Sequence, residues 1–180
     1  IMDGHFVPNL TFGPDVVKAC RAHSSLEFDV HLMVTDPVQW VLPFIEAGAE
    51  CIDVHVESGN AARAAIELIR QKKCRAGLVL NPKTTFDDVP AEIWGLVDRV
   101  LLMSVEPGFG GQKFIDITPK IAALRQKFPT LEIAVDGGIN AENAGFIRAA
   151  GADILISGSG LMRGRTPYEA RVTAMCGGTA

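Results

Sequence analysis

Positive charge is scarce in this chain of 180 residues, and it does not cluster. Lys and Arg together number 17 against 21 Asp and Glu, which leaves a formal net charge of −4 with the two signs mixed along the sequence. A protein that follows a phosphate backbone needs a basic stripe or patch. The composition therefore predicts that nucleic acid is not a partner.

Long hydrophobic stretches are also missing. No apolar run reaches the roughly 18 residues that a membrane-spanning helix needs, and no signal peptide is visible in the sequence. We therefore expect no membrane association and a cytoplasmic location. A targeting segment upstream of Ile1 stays open as an alternative.

Cysteine is rare as well. The chain has four cysteines, and no two of them have CxxC spacing: Cys20, Cys51, Cys74 and Cys176. Their number and spacing are typical of thiols in a reducing compartment. They predict neither a disulfide framework nor a zinc site.

The sequence does contain a regular series of short apolar runs. Each run has the length and the branched aliphatic content of a fully buried strand. Stretches with helical character lie between the runs. The runs occupy residues 28–34, 51–56, 75–80, 99–105, 131–137 and 153–160.

Alternating strands and helices with short connections predict a parallel sheet. An open doubly wound sheet and a closed (β/α)8 barrel both fit this alternation. Polar residues and glycines follow almost every run, which favours the barrel, because TIM barrels carry their active sites on those loops. Six runs and a stub at Ile1-Met2 would leave the barrel without its first strand, first helix and most of its second strand. We expect residues 1–180 to form one partial, N-terminally truncated TIM-barrel domain.

Two neighbouring runs carry acids and histidines at alternate positions. Asp29 and His31 share one face of the first strand, and Asp53, His55 and Glu57 share one face of the next. Such groups must be hydrogen-bonded or bind a metal when they are buried. Carboxylate and imidazole together suit a divalent metal ion. The structural and the metal-binding interpretation both stay open at this point.

Asp136 ends a predicted strand and is followed by Gly137 and Gly138. It lies too early to cap the next helix, for which Asn140 is better placed, so a functional role is favoured over a cap. A second glycine-rich stretch, residues 156–160, follows the next strand. Loops after the last two strands of such barrels often bind phosphate through backbone N–H groups.

The longest glycine-rich connection, residues 105–114, has the sequence VEPGFGGQKF. Aromatic residues among several glycines are typical of a mobile lid that closes over a ligand, and a plain flexible loop is the alternative. Met2, Met33 and Met103 each fall near the end of a strand. Core filling is the default interpretation for these methionines.

Five motifs, in order along the chain, together resemble the ribulose-phosphate 3-epimerase family: MDGHFVPN, DVHLMV, MSVEPGFGGQKF, VDGGIN and SGSGLM. The resemblance covers the chain except for its last ~10 residues. It implies a TIM barrel of the ribulose-phosphate-binding type that interconverts D-ribulose 5-phosphate and D-xylulose 5-phosphate. It also implies one divalent cation per subunit (zinc, iron, manganese or cobalt) and a homo-oligomer.

The resemblance also implies roles for individual residues. Asp136 would be a metal ligand and one of two acid/base carboxylates, and His31 would be a metal ligand that also contacts the substrate. Met2, Met33 and Met103 would line the site beside the reacting carbons. Asp53, His55 and Glu57 match no family ligand, which returns them to the structural interpretation. The lid over the substrate and the phosphate-binding loops would be formed by Gly108, Phe109, Gly110 and Gly111, and by Gly137, Gly138, Gly158 and Ser159.

The sequence departs from the family at its start. In the family a His-x-Asp pair, which supplies two more metal ligands and the second acid/base group, comes just before the stretch that opens this chain. Asp3 is not expected to replace it, because it matches a position in the loop beyond the strand. We therefore expect the 180-residue polypeptide to be inactive by itself.

Two other functions stay open. A sister enzyme could epimerise a hexulose 6-phosphate such as allulose 6-phosphate, because the motifs fix the chemistry at C3 better than the length of the sugar. A protein of another class, a non-catalytic barrel remnant that binds phosphosugars, would share the same loops.

Overall fold

The computed structural model describes residues 1–163 and 165–177. In this part of the chain six strands form one parallel sheet, in which each strand pairs with its neighbours in sequence order. The predicted alternation of buried strands and helices is therefore confirmed. The strands are β1 Asp29–Leu32, β2 Cys51–His55, β3 Arg75–Leu80, β4 Arg99–Met103, β5 Glu132–Asp136 and β6 Ile154–Ile156.

Helices connect the strands and cover one face of the sheet. The most regular is α3, whose residues Ala62, Ala65, Ile66 and Ile69 are buried at the spacing of a single helix face. Short 3-10 turns at residues 56–58, 86–88 and 91–95 complete the connections. The helices are α1 Pro14–Arg21, α2 Val38–Glu46, α3 Asn60–Gln71, α4 Thr118–Lys127, α5 Ala144–Ala149, α6 Ser159–Met162 and α7 Tyr168–Cys176.

The sheet separates two apolar clusters because side chains alternate along each strand. The larger cluster lies between the sheet and the helices and contains Leu78, Val100 and Leu102. The smaller one, the interior cluster, lies on the opposite face and contains Val79 and Leu101. A parallel sheet with helices on one face and a packed interior on the other is the arrangement of a TIM barrel.

Charged side chains fill the interior at the amino ends of the strands. Arg99 donates to both carboxylate oxygens of Asp53, at 2.9 and 2.8 Å, and also pairs with Asp29. Burial opposes the charge on Arg99, but the charge and hydrogen bonds of Asp53, together with the charge of Asp29 and other neighbours, outweigh it and raise the pKa of Arg99. Gly77 leaves the space for this pair, because a Cβ there would lie 1.7 Å from Asp53 Oδ1.

The sheet does not close on itself in the described residues, since β1 and β6 do not pair. The predicted stub is present beside β1, where Met2 bridges Met33 in parallel orientation. Between β1 and β6 lies a cleft of about 630 Å³. We call it the open cleft; Phe12, Val17, Phe28, Leu155 and Ile156 line it, together with His31 and Asp136.

Candidate functional site

The carboxyl ends of β1 and β5 bring two predicted site residues together at the rim of the open cleft. His31 lies on β1 and Asp136 is the last residue of β5. His31 Nδ1 is 3.7 Å from Asp136 Oδ2, and the two side chains are 15% and 26% exposed. An imidazole and a carboxylate thus face each other across the sheet, within reach of a ligand in the cleft.

A row of hydrogen bonds runs from His31 through the buried His55 to Glu57. His31 Nε2 lies 2.8 Å from Nε2 of His55, whose side chain is fully buried on β2. His55 Nδ1 lies 3.1 Å from Glu57 Oε2. Glu57 Oε1 accepts from the Asn81 amide at 2.9 Å and from the Thr84 hydroxyl.

The protonation of this row follows from burial and hydrogen bonding. Burial lowers the pKa of His55 to about 4, and it outweighs the opposing hydrogen bond to Glu57. Burial also opposes ionisation of Glu57, but the bonds from His55, Thr84 and the Asn81 amide lower its pKa to about 2. At neutral pH His55 is therefore neutral and Glu57 is ionised.

The three predicted site methionines belong to the interior cluster. Met33 and Met103 are buried, and Met2 is half-buried against them. Met103 is paired in register with Asp136. The methionines thus belong to an apolar cluster that reaches Asp136 through Met103.

The predicted lid, residues 105–114, follows the carboxyl end of β4 and is held by one hydrogen bond from Asn9 and by two hydrogen bonds within the segment. Asn9 Nδ2 donates to the carbonyl of Gly108 at 3.0 Å, and Gln112 donates to the carbonyls of Glu106 and Phe109 at 2.6 and 2.8 Å. The Phe109 side chain is 57% exposed. We call residues 105–114 the lid segment.

The glycines after β5 allow the lid segment to approach. Gly138 has φ +65°, and a Cβ there would lie 2.9 to 3.1 Å from backbone atoms of Gln112 and Phe114. A Cβ on Gly137, which has φ +122°, would lie 2.7 Å from a side-chain carbon of Val105. Both ends of the lid segment thus pack against the loop that follows Asp136, and Gly108, Phe109, Gly110 and Gly111 lie between those two ends.

The glycine-rich stretch after β6 packs beside the one after β5. Gly158 precedes α6 and Ser159 begins it. A Cβ on Gly160 would lie 2.2 Å from the carbonyl oxygen of Ile139, and Ser157 donates to the same carbonyl at 2.7 Å. The structure therefore brings both predicted phosphate-binding loops together.

A second cluster of possible metal ligands lies at the amino ends of the strands. Ligand atoms of Asp29, Cys51 and Asp53 lie within 4.8 Å of one another. The Arg99 guanidinium already pairs with both carboxylates, and burial raises the pKa of the Cys51 thiol and keeps it protonated. This cluster is an internal ion pair and does not suit a cation.

Asp3 stabilises a turn and does not face the site. Its Oδ1 accepts from the amides of His5 and Phe6, and its Oδ2 accepts from the Thr35 amide, all at 2.8 Å. Burial acts in the opposite direction, but these bonds lower the pKa of Asp3 to about 2.

Two polar residues near the site were not singled out from the sequence. Asn9 anchors the lid segment through Gly108. Ser104 donates to the carbonyl of Gly137 at 2.6 Å and fixes the loop after Asp136. Both lie inside motifs quoted above, but a side chain that bonds to a distant backbone carbonyl leaves no local signal.

Comparison with known proteins assigns the chain to a family. Residues 1–162 match the model of the ribulose-phosphate 3 epimerase family. The chain belongs to this family. It is 44% identical to ribulose-phosphate 3-epimerase of Bacillus subtilis over 165 residues, which cover 88% of this chain and 76% of that protein. The corresponding protein of Eremothecium gossypii is 42% identical over 171 residues, which cover 88% of this chain and 71% of that protein.

Another relative in the family is named a cytoplasmic isoform. This rice protein (Oryza sativa subsp. japonica) is 42% identical over 173 residues, which cover 94% of this chain and 76% of that protein. In the part of the present chain that the structure describes, no helix is both long and apolar enough to cross a membrane.

Solved structures confirm the fold. The chain superposes on 3-hexulose-6-phosphate synthase with a TM-score of 0.69 and 16% identity, covering 92% of this chain and 81% of that chain. It superposes on KGPDC from Streptococcus mutans with a TM-score of 0.67 and 16% identity, covering 91% of this chain and 77% of that chain. These TIM-barrel enzymes share the architecture, and at this identity the likeness concerns the fold alone.

Proposed function

We propose that this chain supplies one of the two acid/base groups of a site that interconverts D-ribulose 5-phosphate and D-xylulose 5-phosphate by inverting carbon 3. The observation that carries the proposal is the His31–Asp136 pair, 3.7 Å apart at the carboxyl ends of the strands. Membership of the epimerase family supports the same chemistry. A phosphorylated ketopentose is therefore the proposed partner of the site.

Asp136 is the proposed acid/base group on one face of the sugar. The C3 proton lies next to a ketone, so its removal leaves negative charge that spreads onto oxygen. A carboxylate within hydrogen-bond reach removes such a proton and returns one. Inversion requires delivery of a proton to the opposite face, from a group on the other side of the substrate.

His31 and Asp136 are also the residues that would hold a divalent cation. The donor atoms suit zinc, iron, manganese or cobalt, and two ligands of one zinc ion lie less than about 4.3 Å apart. The observed 3.7 Å fits this limit. When bound, the cation supplies Lewis-acid stabilisation of the charge that develops on substrate oxygen.

The loops and the methionines complete the proposed site. Backbone N–H groups at Gly137-Gly138 and Gly158-Ser159 bind the phosphate, because glycine allows the anion to approach the backbone. The lid segment, with Gly108, Phe109, Gly110 and Gly111, covers the sugar and excludes water. Met2, Met33 and Met103 provide an apolar surface beside the reacting carbons.

A cytoplasmic location and assembly into a homo-oligomer are proposals of the same kind. The rice relative named a cytoplasmic isoform supports the location. Size-exclusion chromatography with light scattering tests the assembly.

Proton exchange at C3 tests the proposal. The polypeptide is incubated with Mn²⁺ or Zn²⁺ in D2O, with each of the two sugar phosphates in turn. The carboxylates that line the open cleft besides Asp136 are Glu27 and Asp29, at its far end. We therefore expect proton NMR to show loss of the C3 signal in one epimer, its retention in the other, and no conversion between them.

Other outcomes would overturn parts of the proposal. Substrate that binds but exchanges in neither epimer would exclude Asp136 as a base. Interconversion would show that a second acid/base group acts within these 180 residues. Faster exchange with allulose 6-phosphate in a parallel sample would favour the hexulose alternative.

A further inference from the structure

The buried His55 and its partner Glu57 have no role in the chemistry proposed above, although His55 touches the site. His55 is fully buried, and Glu57 is 23% exposed. His55 contacts His31 through Nε2 at 2.8 Å and Glu57 through Nδ1 at 3.1 Å. Every ring nitrogen of His55 is thus occupied by a neighbour whose own hydrogen bonding can be worked out.

Glu57 sets the direction of its hydrogen bond with His55. Its Oε1 accepts from the Asn81 amide at 2.9 Å, and a backbone N–H can only donate. The Thr84 hydroxyl is within hydrogen-bond distance of the same oxygen. The ionised carboxylate has no proton to give at Oε2, so His55 Nδ1 must carry the hydrogen in this bond.

The direction of the His55–His31 hydrogen bond follows from the direction of the His55–Glu57 bond. Above the ordinary pKa of histidine, an imidazole that carries its proton on Nδ1 has a lone pair on Nε2. His55 Nε2 therefore accepts, and His31 Nε2 must donate across the 2.8 Å contact. In a neutral His31 the remaining lone pair is then on Nδ1, which points toward Asp136.

We propose that Glu57 and His55 are positioning residues that fix the tautomer of His31 with an unprotonated Nδ1 facing Asp136. This arrangement places two hydrogen-bond acceptors 3.7 Å apart with no proton between them. Such a pair suits a shared cation, because the ligand atom of a metal-bound histidine must be unprotonated. The binding of a cation between His31 and Asp136 rests on the proposed function, whereas the tautomer of His31 rests on the hydrogen bonds alone.

Glu57→Gln is the variant that tests the direction of the row. The Asn81 amide still needs an acceptor, so the carbonyl oxygen of the new amide stays beside it and the NH₂ group faces His55. His55 Nδ1 must then accept and its Nε2 must donate. This change reverses the His55–His31 hydrogen bond and moves the His31 proton from Nε2 to Nδ1, where it blocks metal binding.

The measurement is the ¹⁵N spectrum of the histidine side chains in the metal-free polypeptide at about pH 8, which reports which ring nitrogen carries the proton. We expect Nε2–H for His31 in the unmodified chain and Nδ1–H in Glu57→Gln. Isothermal titration with Zn²⁺ should show a 10- to 100-fold weaker affinity for the variant. Glu67→Gln removes the same charge from an exposed ion pair with Arg63 and should change neither readout.

The outcomes separate this inference from the proposed function. His31 protonated on Nδ1 in the unmodified chain, or an unchanged tautomer in a folded Glu57→Gln, would overturn the inference. The spectrum of the unmodified chain decides the matter even where the variant does not fold. The expected tautomers without any Zn²⁺ binding or C3 exchange would confirm the inference and contradict the proposed function.

Discussion

At the residue scale, the fold depends on a few positions where a side-chain Cβ atom would clash with a neighbouring buried group. Gly77 is such a position, because its missing side chain gives Asp53 room to meet Arg99. The sequence placed Asp53 on the same strand face as His55, but it could not indicate Arg99, which is 46 residues away. Long-range pairing of buried charges leaves no local pattern. The structural interpretation of Asp53 therefore agrees with a contact that only the fold reveals.

Gly77→Ala is predicted to destabilise the protein by at least about 2 kcal/mol, because the new Cβ would displace a buried carboxylate from its guanidinium partner. Urea unfolding followed by circular dichroism measures the loss. Gly95→Ala is the matched control, since a Cβ there meets nothing within 4 Å. Equal stability of the two variants would contradict this account of Gly77.

Stability should also fall as the pH drops through the range in which unfolded histidine gains a proton. The pKa of His55 is lowered from 6.5 to about 4 by burial, so the unfolded chain binds more protons than the folded one in this interval. The free energy of unfolding therefore decreases as the pH is lowered from 6.5 toward 4. Urea midpoints at several pH values measure it, and an unchanged slope in His55→Phe would contradict the assignment.

At the element scale, the strands were predictable and the first helix was not. Apolar runs marked all six observed strands, and the reason is clearest for β2, β3 and β4, which are buried on both faces and need no polar alternation. Helix α1 was missed, since only Val17 of its eight residues is buried and the pattern is weak. The run at 153–160 gives a strand only at residues 154–156, and α6 begins at Ser159.

The sequence repeats Ala-Gly-Ala at residues 47–49 and 150–152, each time between a helix and a strand, and the structure shows how both connections are held. Gly48 and Gly151 have φ values of +103° and +116°, as expected where glycine ends a helix. Each carbonyl accepts from an arginine of an earlier helix, Arg21 at 3.0 Å and Arg125 at 2.9 Å. The glycines could be recognised in the sequence, but the arginines that donate hydrogen bonds to their carbonyls could not.

The contact between the lid segment and the loop after β5 gives a prediction for this pair of elements. In Gly138→Ala the new Cβ would meet backbone atoms of Gln112 and Phe114 at a φ that disfavours alanine. We expect at least tenfold weaker binding of ribulose 5-phosphate, measured by isothermal titration. Gly145→Ala, where a Cβ meets nothing within 4 Å, should bind normally, and equal binding by both variants would show that this contact is unimportant.

At the scale of the whole molecule, the sheet is a curled, open set of six strands in the described residues. The sequence predicted the barrel architecture, because strand-like runs alternate with helical stretches and are followed by glycines and polar residues. It could not show that His31 and Asp136 line the open cleft, since residues 105 positions apart meet only through the curvature of the sheet.

Hydrogen exchange tests the open arrangement of the sheet. Amides of β1 and β6, which flank the open cleft, should exchange faster than those of β2 to β5, because edge strands open without breaking the central ladder. Mass spectrometry of peptides that span each strand measures the difference. Uniform protection of all six strands would mean that the cleft is covered in solution.

The most direct test of the central claim compares the unmodified polypeptide with Asp136→Asn in the C3 exchange experiment. Asparagine keeps the size of the side chain but cannot take up a proton, so the variant should still broaden the signals of ribulose 5-phosphate while exchange at C3 disappears. Asp87→Asn, at an exposed position, should exchange like the unmodified chain. Unchanged exchange in Asp136→Asn would contradict the claim that this carboxylate moves the C3 proton.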